Sequence, residues 1–297
     1  MIKLGVITDE VSQDLEVAIQ FAQRFGLDGL EIRSVWDRGP FEQTREDIER
    51  IRERSRAAEL EVCCISPPLF KCDMGDRSAY EAHLEGLKRC IDAGHRLGTQ
   101  LVRGFSFWRE PGREGLEPDY ERIAELYQPA VEILRAEDGV IVLEPDPSVN
   151  TPNGRTIAQL VRTIGDSRVG ALWDPGNILF DGEGETPYPD GYDALKGMVR
   201  HLHLKDAVRE KGQPRVVPVG EGSVDFEGQL RRLLADGYHG YLSLETHYRL
   251  DHALDEATLR LPSGSDFSNG GLAASIDCMT RFFALLDRWG LRDISKR

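Results

Sequence analysis

No hydrophobic run in this 297-residue chain approaches the roughly 18 residues of a membrane span, so no segment reads as membrane-embedded. Cysteine is sparse and unpaired in pattern. Cys63, Cys64, Cys72, Cys90 and Cys278 make an odd count without a CxxC motif. That argues against a disulfide framework or a thiolate metal site and for reduced thiols, with Cys63 and Cys64 packed in an apolar run. Positive charge is the scarcer sign: 37 Lys and Arg stand against 51 Asp and Glu, for a net charge of −14. Such a balance opposes binding to nucleic acid or to an anionic membrane, where basic side chains on phosphate supply the attraction. No GxGxxG follows the first apolar run, which removes the dinucleotide fingerprint. No Pro/Gly/Ser-rich linker divides the chain, so residues 1–297 are expected to form a single domain. The opening "MIKLGVITDEV" turns acidic too soon for a signal peptide and reads as a strand; a cytoplasmic location is the expectation.

What the chain does contain is an alternation. Eight short apolar runs (2–8, 29–34, 61–67, 100–106, 140–146, 169–176, 199–206 and 240–246) alternate with segments of helical period near 14–25, 44–58, 77–97, 118–137, 156–164, 191–198, 225–236 and 271–289. Thr44 and Asp225 stand where N-caps fall, and Gly26 and Gly98 where C-caps fall. Eight strand–helix units predict a parallel sheet with right-handed crossovers, closed as a (β/α)8 TIM barrel. Two stretches, 207–224 and 247–270, are read as long loops at strand C-termini, the second as a lid or a contact in a homo-oligomer.

In such a barrel function sits at the C-terminal ends of the strands. The fifth run ends with Glu144 in "VLEPD", the sixth with Asp174 in "LWDPGN", the seventh with "HLHLKD" and the eighth with Glu245 in "LSLETH". Neighbouring strands lie about 4.8 Å apart, so an arc of four such side chains can converge on one cation. Strand alternation puts His201, His203 and Lys205 on one face and Leu202 and Leu204 on the other. The two histidines are roughly 6–7 Å apart along the strand, too far to share one ion. His203, nearer the mouth, is the ligand candidate, and His201 a hydrogen-bonded core residue. Inward carboxylates crowded together repel unless a cation neutralises them. Two Glu, one Asp and one His form an oxygen-rich set without thiolate. It suits Mn²⁺ first, then Mg²⁺ or Co²⁺, with Zn²⁺ also compatible.

These motifs, with "ITDEVSQD", "GLEIRSVW" and "VGEGSVDF", run from the first strand to the eighth. In order and spacing they resemble the xylose isomerase-like TIM-barrel superfamily, in its sugar phosphate isomerase/epimerase branch. The resemblance implies one divalent metal on Glu144, Asp174, His203 and Glu245. It also implies a small-molecule sugar substrate and an isomerase or epimerase working by proton abstraction next to a carbonyl, with Glu144 and Glu245 as the acid–base pair. Glu31, Lys205, Asn177 and His247 are the substrate-contact candidates, and Trp36 and Trp108 the candidates for an apolar wall. The chain departs from the pattern at Pro145, where relatives often carry a polar residue, and at Asn177, where some sugar epimerases have a histidine. Metal-dependent elimination from a 3-keto-glycoside, abasic-site endonuclease activity and non-catalytic binding are the alternative readings.

Overall fold

Runs buried on both faces build the barrel wall. The structure is a computed structural model that describes residues 1–182 and 184–295; residues 183, 296 and 297 of the expected 1–297 domain lie outside the described residues. The barrel strands are β1 (Lys3–Ile7), β2 (Gly29–Ile32), β3 (Glu61–Leu69), β4 (Leu101–Gly104), β5 (Val140–Leu143), β6 (Val169–Trp173), β7 (Val199–Leu204) and β10 (Tyr241–Leu244). Two more, β8 (Asp206–Glu210) and β9 (Gln213–Val217), form a separate antiparallel hairpin. The barrel closes in the order β1-β10-β7-β6-β5-β4-β3-β2, every pair parallel.

The helices are α1 (Thr8–Val11), α2 (Leu15–Phe25), α3 (Arg45–Ala57), α4 (Arg77–Leu97), α5 (Tyr120–Glu137), α6 (Gly154–Ile164), α7 (Pro175–Asp181), α8 (Tyr192–Leu195), α9 (Phe226–Ala235), α10 (Glu256–Arg260), α11 (Gly264–Ser268) and α12 (Gly271–Trp289). Their ends follow local chemistry. Thr44 opens α3 with a capping box to Asp47, and the Asp225 side chain accepts from Gly228 N–H at the start of α9. Gly26 and Gly98 close α2 and α4 at φ +61° and +92°, a region that favours glycine. No helix among the described residues is long and apolar enough to cross a membrane.

Four regions differ from the sequence expectation, one being the 247–270 loop, which carries the short helices α10 and α11. The 207–224 loop carries the β8–β9 hairpin, turned at Lys211 and Gly212, both at positive φ as a tight two-residue turn requires. The helix expected at 191–198 shrinks to α8, behind an irregular turn at Pro187–Gly191. After β6, Asp174 also caps α7, whose first residue is Pro175; the "DPGN" that read as a strand end is a helix start as well.

Leu202, Leu204, Leu242 and Leu244 face the helices and belong to the main hydrophobic cluster. Inside the barrel Cys63, Cys64, Val142 and Leu172 form a small apolar plug, with Leu101 and Tyr241 packed against it. All five cysteines are free and buried. Above the plug the interior is polar. Pairing of Leu172 with His201 and of Ser243 with His203 sets Asp174 and Glu245 at the level of the upper β7 side chains.

Candidate metal centre

His201 and His203 point into the barrel, and Glu31 on β2 lies between them. Its Oε2 is 2.7 Å from His201 Nε2, its Oε1 is 3.0 Å from His203 Nε2, and Ser66 Oγ donates to Oε1 as well. An ionised carboxylate only accepts, so both Nε2 atoms donate to it, which fixes both ring orientations. Burial alone would raise the Glu31 pKa, but His203 and His201 hold it well below the usual carboxylate range.

His203 Nδ1 faces three carboxylates, with Glu245 Oε2 at 3.2 Å, Glu144 Oε1 at 3.3 Å and Asp174 Oδ2 at 3.8 Å. One ligand atom from each of the four residues lies within 4.8 Å of the others, and all four residues are buried. Neither His203 Nδ1 nor Asp174 Oδ2 has a hydrogen-bond partner among the described residues. Lys205 Nζ, 2.7 Å from Asp174 Oδ2, forms an ion pair there without hydrogen-bonding alignment, and reaches Glu245 Oε2 at 2.5 Å. Burial alone would lower the His203 pKa, but Glu31, Glu245 and Glu144 hold it well above its usual value, so Nδ1 carries a proton here and a metal ion would take that proton's place among the three carboxylates.

The charge count points the same way. Asp9, Glu10, Glu31, Glu144, Asp174 and Glu245 are buried around this centre, against the cations Arg33, Arg103, Lys205 and Arg249. Carboxyl groups outnumber these basic side chains even with Asp9 protonated, an acidic excess that a protonated His203 or a bound cation offsets. The residues present therefore fit a divalent metal.

The centre is held by two arginines that sequence reasoning overlooked. Arg33 donates from Nε to Asp9 Oδ1 (2.9 Å), from one terminal nitrogen to Glu10 Oε1 (2.8 Å) and from the other to Glu245 Oε1 (2.8 Å). Arg103 donates to Glu144 Oε2 at 3.1 Å and to Ser66 O at 3.0 Å. Their signal was present: each is a charged residue inside an apolar run, and Arg33 shares a strand face with Glu31.

The other substrate-contact candidates separate. Lys205, Asn177 and His247 line a cavity of about 510 Å³ above the four candidate ligands. Asn177 Nδ2 donates to Glu144 Oε1 (3.2 Å) and Pro145 O (2.9 Å), so it also orients that glutamate. His247 Nδ1 lies 2.7 Å from Glu10 Oε1. Glu31 does not line the cavity. It sits beneath His203 with both oxygens committed, and the substrate contact expected of it gives way to orienting the imidazole. The tryptophans are also elsewhere: Trp36 stacks under Arg50 and Trp108 under Arg260, and neither lines this cavity.

The family model described as xylose isomerase-like TIM barrel matches residues 19–267. The chain belongs to that family. Solved members of similar fold include the D-allulose 3-epimerase of a Methylomonas species, at 17% identity, with 96% of each chain covered and a TM-score of 0.70. The 3-keto-D-glucoside 4-epimerase of E. coli aligns at 16% identity over 93% of this chain and 100% of that one, with a TM-score of 0.66. An IOLI protein with a bound zinc atom aligns at 16% identity over 95% and 100%, also with a TM-score of 0.66. At these identities the likeness is one of fold.

Asp9 offers a pH test of the buried network. Burial pushes its pKa from 3.8 up to about 7 against the pull of Arg33, and its Oδ2 is buried without a hydrogen bond. Between about pH 4 and 7 the folded chain then keeps a proton that the unfolded chain has released, so stability falls as pH rises, by at most about 1.4 kcal/mol per unit. Asp9→Asn lacks that slope. Urea unfolding of both proteins at the two ends of this window should show the variant gaining relative to wild type as pH rises; an unchanged difference would rule out a protonated Asp9.

Proposed function

We propose that this protein is a divalent-metal-dependent sugar isomerase or epimerase that removes a proton from the carbon next to a carbonyl. Glu144, Asp174, His203 and Glu245 would hold the ion, with Mn²⁺ the first choice. The observation that carries the reading is His203 Nδ1, its ring fixed by Glu31 and turned toward three buried carboxylates. The ion would supply Lewis-acid stabilisation of an enediolate, a contribution of several kcal/mol.

The chain's own side chains do the rest. Glu144 and Glu245 approach from opposite sides of β7 and both line the cavity. One takes the proton, leaving the C–H electron pair in the enediolate; the other, once it has taken a proton from solvent, passes it to the opposite face and inverts the carbon. Return to the former carbonyl carbon gives isomerisation instead. Burial alone would raise the Glu245 pKa, but Lys205 and His247 hold it well below the usual range; burial and Glu245 push Glu144 up, but Arg103 and His203 bring it below its usual value, so both glutamates are ionised at neutral pH. Lys205, whose own pKa Asp174 and Glu245 push up despite burial, remains an ammonium able to donate to a substrate oxygen.

A multi-ion endonuclease site fits less well. Glu10, Glu245 and His247 could form a second ligand set, but the Arg33 guanidinium already bonds Glu10 Oε1 and Glu245 Oε1. The net charge of −14 also opposes DNA.

The reaction is tested by a panel of ketoses and aldoses in heavy water with Mn²⁺, read by NMR for deuterium at carbon. Metal binding is tested separately by melting. At a hundredfold excess of ion over Kd the folded state gains about 2.7 kcal/mol, an upward Tm shift of roughly 4 °C for a chain of this length. Chelator should reverse the shift and His203→Ala should abolish it. No shift with Mn²⁺, Mg²⁺, Co²⁺ or Zn²⁺, or an equal shift in the variant, removes the metal from this centre.

A further inference from the structure

The cavity above the candidate ligands has two unlike walls. Its floor is polar, with Glu144, Glu245, Lys205, Arg103 and Asn177. Facing it is an apolar set, Phe105, Phe180, Pro214, Val216, Leu259 and Pro262, with Gln213, Glu256 and Arg260 interleaved from the same hairpin and α10. These side chains come from β4 and its exit, α7, the β8–β9 hairpin and the α10 segment, so the two long insertions supply much of this wall. Phe180, Val216 and Leu259 are half-buried, and none joins either hydrophobic cluster of the described residues. Phe105 is fully buried yet also outside both clusters, its ring flanked by Lys71 Nζ at 4.4 Å and the Arg103 guanidinium at 5.1 Å. Apolar groups turned from the core toward a cavity gain from an apolar ligand surface, and a bare polyol offers them little.

We propose that the substrate is a sugar bearing an apolar substituent, a glycoside whose alkyl or aryl aglycone lies against Phe105, Phe180, Val216 and Leu259 while the sugar ring rests on the polar floor. The ring's placement rests on the reaction proposed above. A glycosidic bond locks the anomeric carbon as an acetal, so the carbonyl that acidifies the neighbouring C–H must be an oxidised ring carbon. Proton transfer to a carboxylate and back then epimerises that neighbouring carbon. Where the aglycone is β to the carbonyl, the same electron pair forms a C=C bond and expels it: the C–O bond breaks, its electrons leave with the aglycone oxygen, and that oxygen takes a proton.

Calorimetry on the Mn²⁺-loaded protein with phenyl and methyl β-D-glucosides, and the matching galactosides, tests the substrate class without requiring turnover. The phenyl member of at least one pair should bind about tenfold tighter or more. Leu259→Asp and Phe180→Ala should each shrink that ratio to about threefold or less. Equal binding of phenyl and methyl members, no binding by either, or a ratio unchanged in both variants overturns the proposal. Deuterium exchange on the methyl 3-oxo-glycosides is measured in parallel. Exchange without a phenyl preference sinks the substrate class alone, and a phenyl preference without exchange sinks the reaction alone.

Discussion

Glu245→Gln is expected to lower both turnover and solvent-proton exchange at the substrate carbon by about 10²–10⁴-fold, the range a positioned acid–base group supplies. Wild-type Glu245 is fully committed as an anion: Oε1 accepts from Arg33, and Oε2 faces Lys205 and His203 Nδ1. A neutral amide keeps one acceptor but turns its NH₂ toward a cation, so it can neither take a proton from carbon nor cancel Lys205. Circular dichroism and bound-metal content separate loss of chemistry from loss of fold. Glu144→Gln serves as the paired measurement. Glu144 is held differently, by Arg103 on Oε2 and Asn177 on Oε1, and an enzyme with two distinct proton faces should lose exchange of one stereochemistry faster than the other. Exchange within tenfold of wild type in Glu245→Gln would remove Glu245 as acid or base.

The barrel was legible because parallel strands buried on both faces read as apolar runs, and each of the eight expected runs overlaps one barrel strand. The inward placement of His203 beside His201 was legible from the period of two along β7. The supporting charges were harder to see. Arg33 and Arg103 interrupt apolar runs, and an interruption looks like a strand end until its partners are known. Asp9 and Glu10 lie on α1, a single turn too short to show any period. Glu31 was visible as an inward carboxylate. Its partner was not, because the pairing with His203 spans 172 residues and depends on the curvature that brings β2 across from β7. The apolar wall was expected from tryptophans that follow strand ends; the cavity is lined instead by Phe105 after β4, Phe180 on α7, and the hairpin and α10, insertions whose folding no strand–helix alternation announces.

Replacing Arg33 should cost more stability than any other single change at the centre. Arg33 is 3% exposed and bonds three carboxylates, Asp9 and Glu10 on α1 and Glu245 after β10, while its guanidinium carbon lies 4.8 Å from the centre of the Phe267 ring. Arg33→Met keeps most of the volume and removes the charge, leaving three buried acids with one cation fewer. Breaking a buried ion pair by deleting one partner costs about 3–5 kcal/mol, and three acids on one cation place this variant at the upper end. Arg33→Lys keeps the charge at one point but lacks the planar fork, so it should recover only part of the loss. The cost should shrink toward pH 5, because the stranded acids, Asp9 first, then take up protons instead of remaining charged. Asp9→Asn in the Arg33→Met background should recover stability that Asp9→Asn alone does not give at the same pH, a coupling of about 1 kcal/mol or more in the double-mutant cycle. A loss below about 1 kcal/mol in Arg33→Met, or strict additivity with Asp9→Asn, would show that the three carboxylates do not depend on this guanidinium.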